Sequence, residues 1–387
     1  MMFIGEDMTI LLAALGVALI LIVLGDAFET VILPRQVTRR ISLARLFYRW
    51  TWLIWSTVVR SAFSRKRQED FLSWYGPFSL VLLLIFWATG LVVGFGIVHW
   101  ASGSIIKTPE GTASFGTYLY LSGTTFFTLG LGDVIPIKIF GRGLIALEAG
   151  IGFGFLALVV GYLPTLNQSF ARREVIISLL DARAGSPPTA TEMLRRHCHD
   201  RGMEDLRQLF HEWERWSADL MESHLSYPVL AFFRSHHDNE SWLGALTTIL
   251  DTCAFVIVSL EGACERQAQQ TFAITRHAIV DLAQVFNSPP RKPKPDRLPP
   301  DELARMRAIL KEAGIEPREG SDVDQKLSEL RRMYEPYVYS LSSYLHITIP
   351  SWIPKAGRID NWQTSAWGRS KGFEIEGPSD SPRDEHF

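Results

Sequence analysis

An all-α membrane protein with a mainly helical, soluble C-terminal half is the fold class this sequence predicts. Three observations carry it. Met8 to about Leu166 is mostly apolar, whereas Asn167 to Phe387 has the balance of an ordinary soluble domain. The apolar half holds runs long enough to cross a bilayer as helices. The polar half shows helix start and stop signals, and alternating β patterns are scarce in it.

Composition sets the outer bounds. The chain has 387 residues, 47% of them hydrophobic and 21% charged, which is room for two or three modules. The formal charge of −2 says nothing about partners, and no basic tract suggests nucleic acid. The three cysteines, Cys198, Cys253 and Cys264, all lie in the polar half. They make no disulfide framework and fit a reducing compartment. The N-terminus carries Glu6 and Asp7 where a signal peptide has Lys or Arg, and no small-residue cleavage site follows its long apolar run. It reads as a retained transmembrane helix.

Residues 1–34 form this first span. Met8 to Gly25 is uncharged and is extended by Phe28 and Val31 to Leu33, with Pro34 closing the helix. Asp26 and Glu29, near its second end, are expensive at mid-bilayer and should face protein or the interface. Residues 35–78 carry Arg35, Arg39, Arg40, Arg45, Arg49, Arg60, Arg65, Lys66 and Arg67 against Glu69 and Asp70. The positive-inside rule makes this segment cytoplasmic. Within it, Ile41 to Phe63 is apolar and rich in Trp (Trp50, Trp52, Trp55). A span there would put Ser64 to Arg67 outside, so an amphipathic helix in the inner interface is expected.

Ser79 to Val98 reads as a second span and Ala101 to Ser114 as an external loop. Phe115 to Thr128 is too short to cross, at roughly 21 Å as a helix, and fits a re-entrant helix. Gly143 to Leu163 is a third span, interrupted by Glu148, and Arg172 and Arg173 follow on the inside. The N-terminus is then outside and the polar half cytoplasmic. In residues 167–349 we expect helices over Ala190–Arg201, Glu204–His224, Trp242–Gln269, Thr271–Phe286, Pro300–Ala313 and Asp324–Tyr344. Ser288 to Pro295 reads as a stiff polyproline linker, and residues 350–387 as a mobile tail.

Between the re-entrant segment and the third span stands Thr124-Thr125-Phe126-Phe127-Thr128-Leu129-Gly130-Leu131-Gly132-Asp133. Its core, Thr128 to Asp133, resembles the ion-selectivity filter of the potassium channel superfamily. A dehydrated cation needs its water replaced by oxygens, and backbone carbonyls can supply them if they all point inward. Such a backbone alternates in handedness, which side chains resist, hence Gly130 and Gly132. The resemblance covers roughly Ser79 to Leu166. It implies K+ as the permeant ion, coordinated at Thr128, Leu129, Gly130 and Leu131, with Thr128 supplying the innermost ligands and Asp133 capping the motif. It implies a homotetramer in the cell membrane, since one chain gives only one wall of a ring.

The motif departs from the family's Thr-Val-Gly-Tyr-Gly-Asp at Leu129, mildly, and at Leu131, where the aromatic ring and its hydroxyl are missing. Leu121, ten residues earlier, is expected to pack in its place. Thr124 stands where some members carry a carboxylate behind the filter. Two roles for Glu148 are open: a cation site in the cavity, or a rear carboxylate bonded to the filter region. The resemblance assigns a gating hinge to a glycine near Gly152, whose other reading is a packing glycine. No span repeats Arg or Lys at every third position, so little voltage sensing is expected.

The polar half has no Gly-x-Gly-x-x-Gly fingerprint and no recognisable nucleophile–base arrangement, so no enzyme is expected. His197-Cys198-His199 could place at most two ligands on one ion, and Trp213, Trp216 and Trp242 read as helical core. A regulatory ligand would act at this domain. The leading reading is a potassium-selective, tetrameric pore-loop channel. Its alternatives are a weakly selective monovalent cation channel, or a membrane-anchored sensor with a vestigial pore loop.

Overall fold

The computed structural model describes residues 6–33, 42–109, 111–197, 202–236, 240–260, 262 and 264–354. Pro34, Arg35, Arg39, Arg40, Cys198, His199 and the tail from residue 355 lie outside the described residues. The chain divides into two compact units, Met1–Gln168 and Ser169–Phe387.

The first unit is built from α1 (Glu6–Val31), α2 (Leu43–Ala62), α3 (Arg65–Ala101), β1 (Ile106–Lys107), α4 (Phe115–Phe126), β2 (Ile135–Pro136) and α5 (Ile139–Ala184), which continues past Gln168. The helices α1, α3 and α5 each contain a stretch long and apolar enough to cross a membrane, and the protein is a membrane protein. The fold is mostly helical, as expected; among the described residues a short antiparallel ladder pairs Ile106 with Pro136 and Lys107 with Ile135. The segments flanking α4 bond each other because extended backbone needs partners for its polar groups.

Helix α3 is longer than the expected span at Ser79–Val98, since its first turns, around Arg67 to Asp70, carry charge and give no hydropathy signal. It runs through Pro77. Helix α1 packs along α3 through small residues. A Cβ on Gly94 would lie 2.7 Å from Ile20 Cγ1, and one on Gly16 would lie 2.9 Å from the Gly94 carbonyl oxygen. Glycine here buys close backbone approach, the usual device where lipid gives no hydrophobic drive for helix association. Ile20, Val23, Leu83, Trp87, Leu91 and Phe95 fill the seam.

Helix α2 folds back on the start of α3. The Trp55 indole donates to the Phe71 carbonyl at 3.1 Å, Thr51 and Tyr75 hydroxyls meet at 2.9 Å, and the Trp52 and Tyr75 rings are 4.8 Å apart edge to face. Its buried edge is Ala44, Trp52, Ser56 and Val59, while Leu46, Trp50, Ile54 and Val58 remain exposed. That stripe, flanked by exposed Arg45, Arg49 and Arg60, has the pattern of a helix lying against lipid.

Asp26 joins all three helices. Its carboxylate accepts from the Ser42 hydroxyl at 3.0 Å, from the Ala44 amide at 3.0 Å and from the Trp87 indole at 2.9 Å. The charge thus sits at the first turn of α2, where free amides and the helix dipole stabilise an anion. An arginine partner is not needed. Asp26→Ala leaves two buried donors unpaired, an expected cost of about 2–5 kcal/mol. Thermal unfolding in detergent should show a lower midpoint, together with a changed Trp fluorescence as Trp87 loses its partner.

The second unit holds α6 (Ala190–Arg196), α7 (Gly202–Ser226), a 3-10 helix (Pro228–Phe232), α8 (Trp242–Ser259), α9 (Glu265–Val285), α10 (Pro300–Glu312), α11 (Ser321–Arg332) and α12 (Glu335–Leu345). Helix α8 is also long and apolar enough to cross a membrane, yet 94% of that window is buried inside the protein. It is the central helix of this unit, packed against α6, α9 and α11. Trp213, Trp216 and Trp242 are core residues.

Two long helices expected from the sequence are each divided. Trp242–Gln269 breaks after Ser259, where Gly262 adopts a φ of 139° that a residue with a side chain resists. Asp324–Tyr344 breaks at Met333–Tyr334, because Pro336 cannot supply an amide inside a helix and instead stands in the first turn of α12. The supposed linker at Ser288–Pro295 is docked on α12. Ser288 and Ser340 hydroxyls meet at 2.7 Å, Ser340 also donates to the Pro289 carbonyl at 2.7 Å, and the Arg291 amide bonds the Pro336 carbonyl at 3.0 Å. The beginning of the supposed tail is likewise packed: Trp352 is 1% exposed, and its carbonyl accepts from the Thr191 hydroxyl at 2.7 Å.

Arg297 is the best-paired buried charge described in this unit. Arg297 clamps Asp251 through both terminal nitrogens, at 3.1 and 2.6 Å, and reaches Glu335 at 3.1 Å. Neighbouring carboxylates hold the guanidinium well above its usual range.

Candidate ion-conducting site

Helix α4 is capped by Ser114, whose amide bonds the Thr117 hydroxyl at 3.1 Å, and runs for twelve residues to Phe126. At this length the helix is too short to cross a bilayer. Its last carbonyls are not left open. Phe127 donates to Gly123 at 3.1 Å, Thr128 to Thr125 at 2.9 Å and Leu129 to Thr124 at 2.8 Å. The loop therefore leaves the helix in a fixed direction.

Along that loop, Thr128 (φ 55°), Gly130 (φ 55°) and Gly132 (φ 75°) are left-handed, while Leu129 and Leu131 are not. Handedness therefore alternates along the motif. Glycine relieves the strain at two of the three positions. Thr128 bears it with a side chain, at a cost of about 1–3 kcal/mol that only surrounding structure can maintain.

Asp133 accepts a hydrogen bond from the Tyr120 hydroxyl at 2.8 Å, which ties the end of the loop to α4. The Tyr118 hydroxyl donates to the Ser104 carbonyl at 2.9 Å, and Tyr118, Leu121, Ile106 and Val134 form a small core behind α4 and the ladder. Leu121 is thus committed to that core, and it does not stand in for the missing aromatic contact. Leu131 itself is 62% exposed in the single chain. The Thr124 hydroxyl bonds the Leu121 carbonyl, at 3.0 Å.

Glu148, on α5, is 0% exposed. Its Oε1 meets the Ser122 hydroxyl on α4, and its Oε2 lies 3.4 Å from His99 Nε2 on α3. Both carboxyl oxygens thus face side chains of α4 and α3. Gly152, one turn further along α5, lies against the end of α4. A Cβ there would be 2.1 Å from the Phe126 carbonyl oxygen and 2.9 Å from its carbon. A side chain at this position would not fit beside the α4 backbone.

Ser122, His99, Tyr120 and the Asp26–Trp87 pair were not singled out from the sequence. Hydroxyls and a histidine on apolar helices are unremarkable until the partner across the helix is known. His197 Nδ1 lies 2.7 Å from the Met193 carbonyl. Among the described residues no group of three His, Cys, Asp or Glu side chains could hold a metal ion.

Residues 79–168 match the family model described as "Ion channel". The "Uncharacterized membrane protein YdjJ" of Bacillus subtilis (strain 168) is 24% identical over 184 residues, which is 46% of this chain and 52% of that protein. "Protein LctB" of Geobacillus stearothermophilus is 32% identical over 88 residues, 20% of this chain and 65% of that protein. The chain thus spans between half and two thirds of the curated relatives it matches. No solved structure matches significantly. The matched segment, residues 79–168, holds the short helix α4, the glycine loop and the apolar helices on either side, and is similar to an ion-channel domain.

Proposed function

We propose that this protein is a potassium-selective channel of the cell membrane, formed by four copies around one pore. The observation that carries the reading is the alternating backbone of Thr128 to Gly132 at the end of a short re-entrant helix. In this reading Thr128, Leu129, Gly130 and Leu131 present carbonyl oxygens to K+, and Asp133 marks the outer mouth. The N-terminal end of α1 is outside and the second unit is cytoplasmic, where it regulates the pore. The protein moves ions and carries out no covalent chemistry.

Potassium flux into proteoliposomes, with sodium as competitor, tests this. Potassium should flow at least about tenfold faster than sodium, the equivalent of about 1.4 kcal/mol between the ions. Absence of any cation flux, including from chains truncated after α5, would sink the channel reading.

One observation favours a second reading. Leu131 has no hydroxyl to brace the loop, and such bracing as the chain has comes through Tyr120 and Asp133 at its outer end. Equal potassium and sodium permeability would identify a weakly selective monovalent cation channel built on the same loop.

A further inference from the structure

We propose that Glu148 is a buried, protonated carboxylic acid that donates to Ser122 and so positions the re-entrant helix behind the filter. Its functional consequence rests on the channel reading above; its structural half rests on counting protons.

The Ser122 hydroxyl oxygen lies within hydrogen-bond range of two oxygens, the Val92 carbonyl at 2.8 Å and Glu148 Oε1. A hydroxyl carries one proton, and a backbone carbonyl can only accept. With an ionised Glu148, one of these contacts would set two oxygens against each other with no proton between them. With a protonated Glu148 both are satisfied: the carboxyl donates to Ser122, and Ser122 donates to Val92.

The surroundings agree with a neutral acid. Glu148, Ser122 and His99 are all fully buried, and a buried carboxylate requires a close cation. His99 is the ionisable side chain that faces it, and its Nε2 stands 3.4 Å from Oε2. That is longer than the roughly 2.7–2.9 Å of a charge-assisted bond. An imidazolium would also need an acceptor at Nδ1, which has no hydrogen-bond partner among the described residues. Other polar side chains on these helices have partners elsewhere. On α4, Tyr118 bonds Ser104 and Tyr120 bonds Asp133; on α5, Arg142 bonds the Pro136 carbonyl at 3.4 Å. Neutral His99 beside protonated Glu148 leaves no charge unpaired.

The relay Glu148–Ser122–Val92 crosses α5, α4 and α3. Four residues on from Glu148, Gly152 meets Phe126, which lies four residues on from Ser122. The last turn of α4 is therefore held at two successive levels immediately before Thr128. Glu148 is a positioning residue: it touches no ion and acts through the helix that carries the loop.

The test uses the full chain in lipid. Infrared spectra at neutral pH should contain a protonated-carboxyl band that Glu148→Gln removes and Ser122→Ala shifts. Its absence from the wild-type protein would overturn the proposal, whether or not the protein conducts. In flux measurements Glu148→Gln, whose amide can still donate to Ser122, should keep wild-type potassium over sodium preference. Glu148→Ala should lower that preference by about tenfold, the scale of one buried hydrogen bond. Raising the outer pH should reduce wild-type flux and leave the Glu148→Gln variant unchanged. A Glu148→Gln variant as damaged as Glu148→Ala would show that the ionised form is required and overturn the assignment. A conducting protein is needed only for the flux arm, so failure of the channel reading leaves the infrared result to decide the proton.

Discussion

Gly130→Ala should abolish potassium flux while leaving the protein folded and membrane-inserted. Gly130 has a φ of 55°, where an alanine costs about 1–2 kcal/mol. In a ring of four copies that cost is met four times, roughly 4–8 kcal/mol per pore if each subunit keeps the geometry. A subunit that relaxes instead turns its carbonyl out of line, and the ion loses part of its coordination. Space does not enter this prediction, since a Cβ at Gly130 meets nothing within 4 Å in the chain. Flux assays on purified protein, with circular dichroism to confirm the fold, measure it. Gly150→Ala is the matched control, because its Cβ also meets nothing within 4 Å and its φ is not left-handed. Flux preserved in Gly130→Ala would argue for a vestigial loop.

Gly152→Ala should be the most destabilising change in the pore segment. The new methyl would stand 2.1 Å from a backbone oxygen and 3.1 Å from the Phe126 Cα, and no side-chain rotation can relieve a clash with backbone. Either α5 or the end of α4 must move, at a cost of about 1–3 kcal/mol or more for an overpacked core. The displaced group directly precedes Thr128, so selectivity should fall along with stability. Thermal unfolding in detergent and the ratio of potassium to sodium flux measure both. Gly154→Ala provides the contrast: its Cβ meets nothing within 4 Å, and alanine is the better helix former by about 1 kcal/mol. If Gly152 were instead a free hinge, Gly152→Ala would alter opening and leave the unfolding midpoint near that of Gly154→Ala.

The sequence alone was sufficient wherever one local property dominated. Apolar runs of membrane length produced α1, α3 and α5, because backbone in lipid must bond itself and only a helix does so within one segment. The short apolar stretch before Thr128 became α4, and Gly130 and Gly132 marked two left-handed positions from the absence of a Cβ. Local signals failed where two patterns adjoined. A single helical period seemed to run through Gly262 and Pro336, yet each interrupts a helix there. Proline-rich composition suggested a free linker at Ser288–Pro295, and the composition of its sequence says nothing about the serines of α12 that hold it.

The supports of the candidate site were decided by tertiary structure. Glu148 could be read two ways because its helix phase relative to its neighbours is not a property of one helix. Ser122 and His99, from 26 and 49 residues earlier in the chain, are the groups it meets. Asp26 likewise found Trp87 and the start of α2, a partnership that charge pairing along the sequence would not suggest. What the sequence determined is the set of helices and the loop whose glycines permit its backbone, since these depend on each residue and its near neighbours. What only the folded chain decided is which buried polar groups meet, because that depends on how helices distant in sequence rotate and pack against one another.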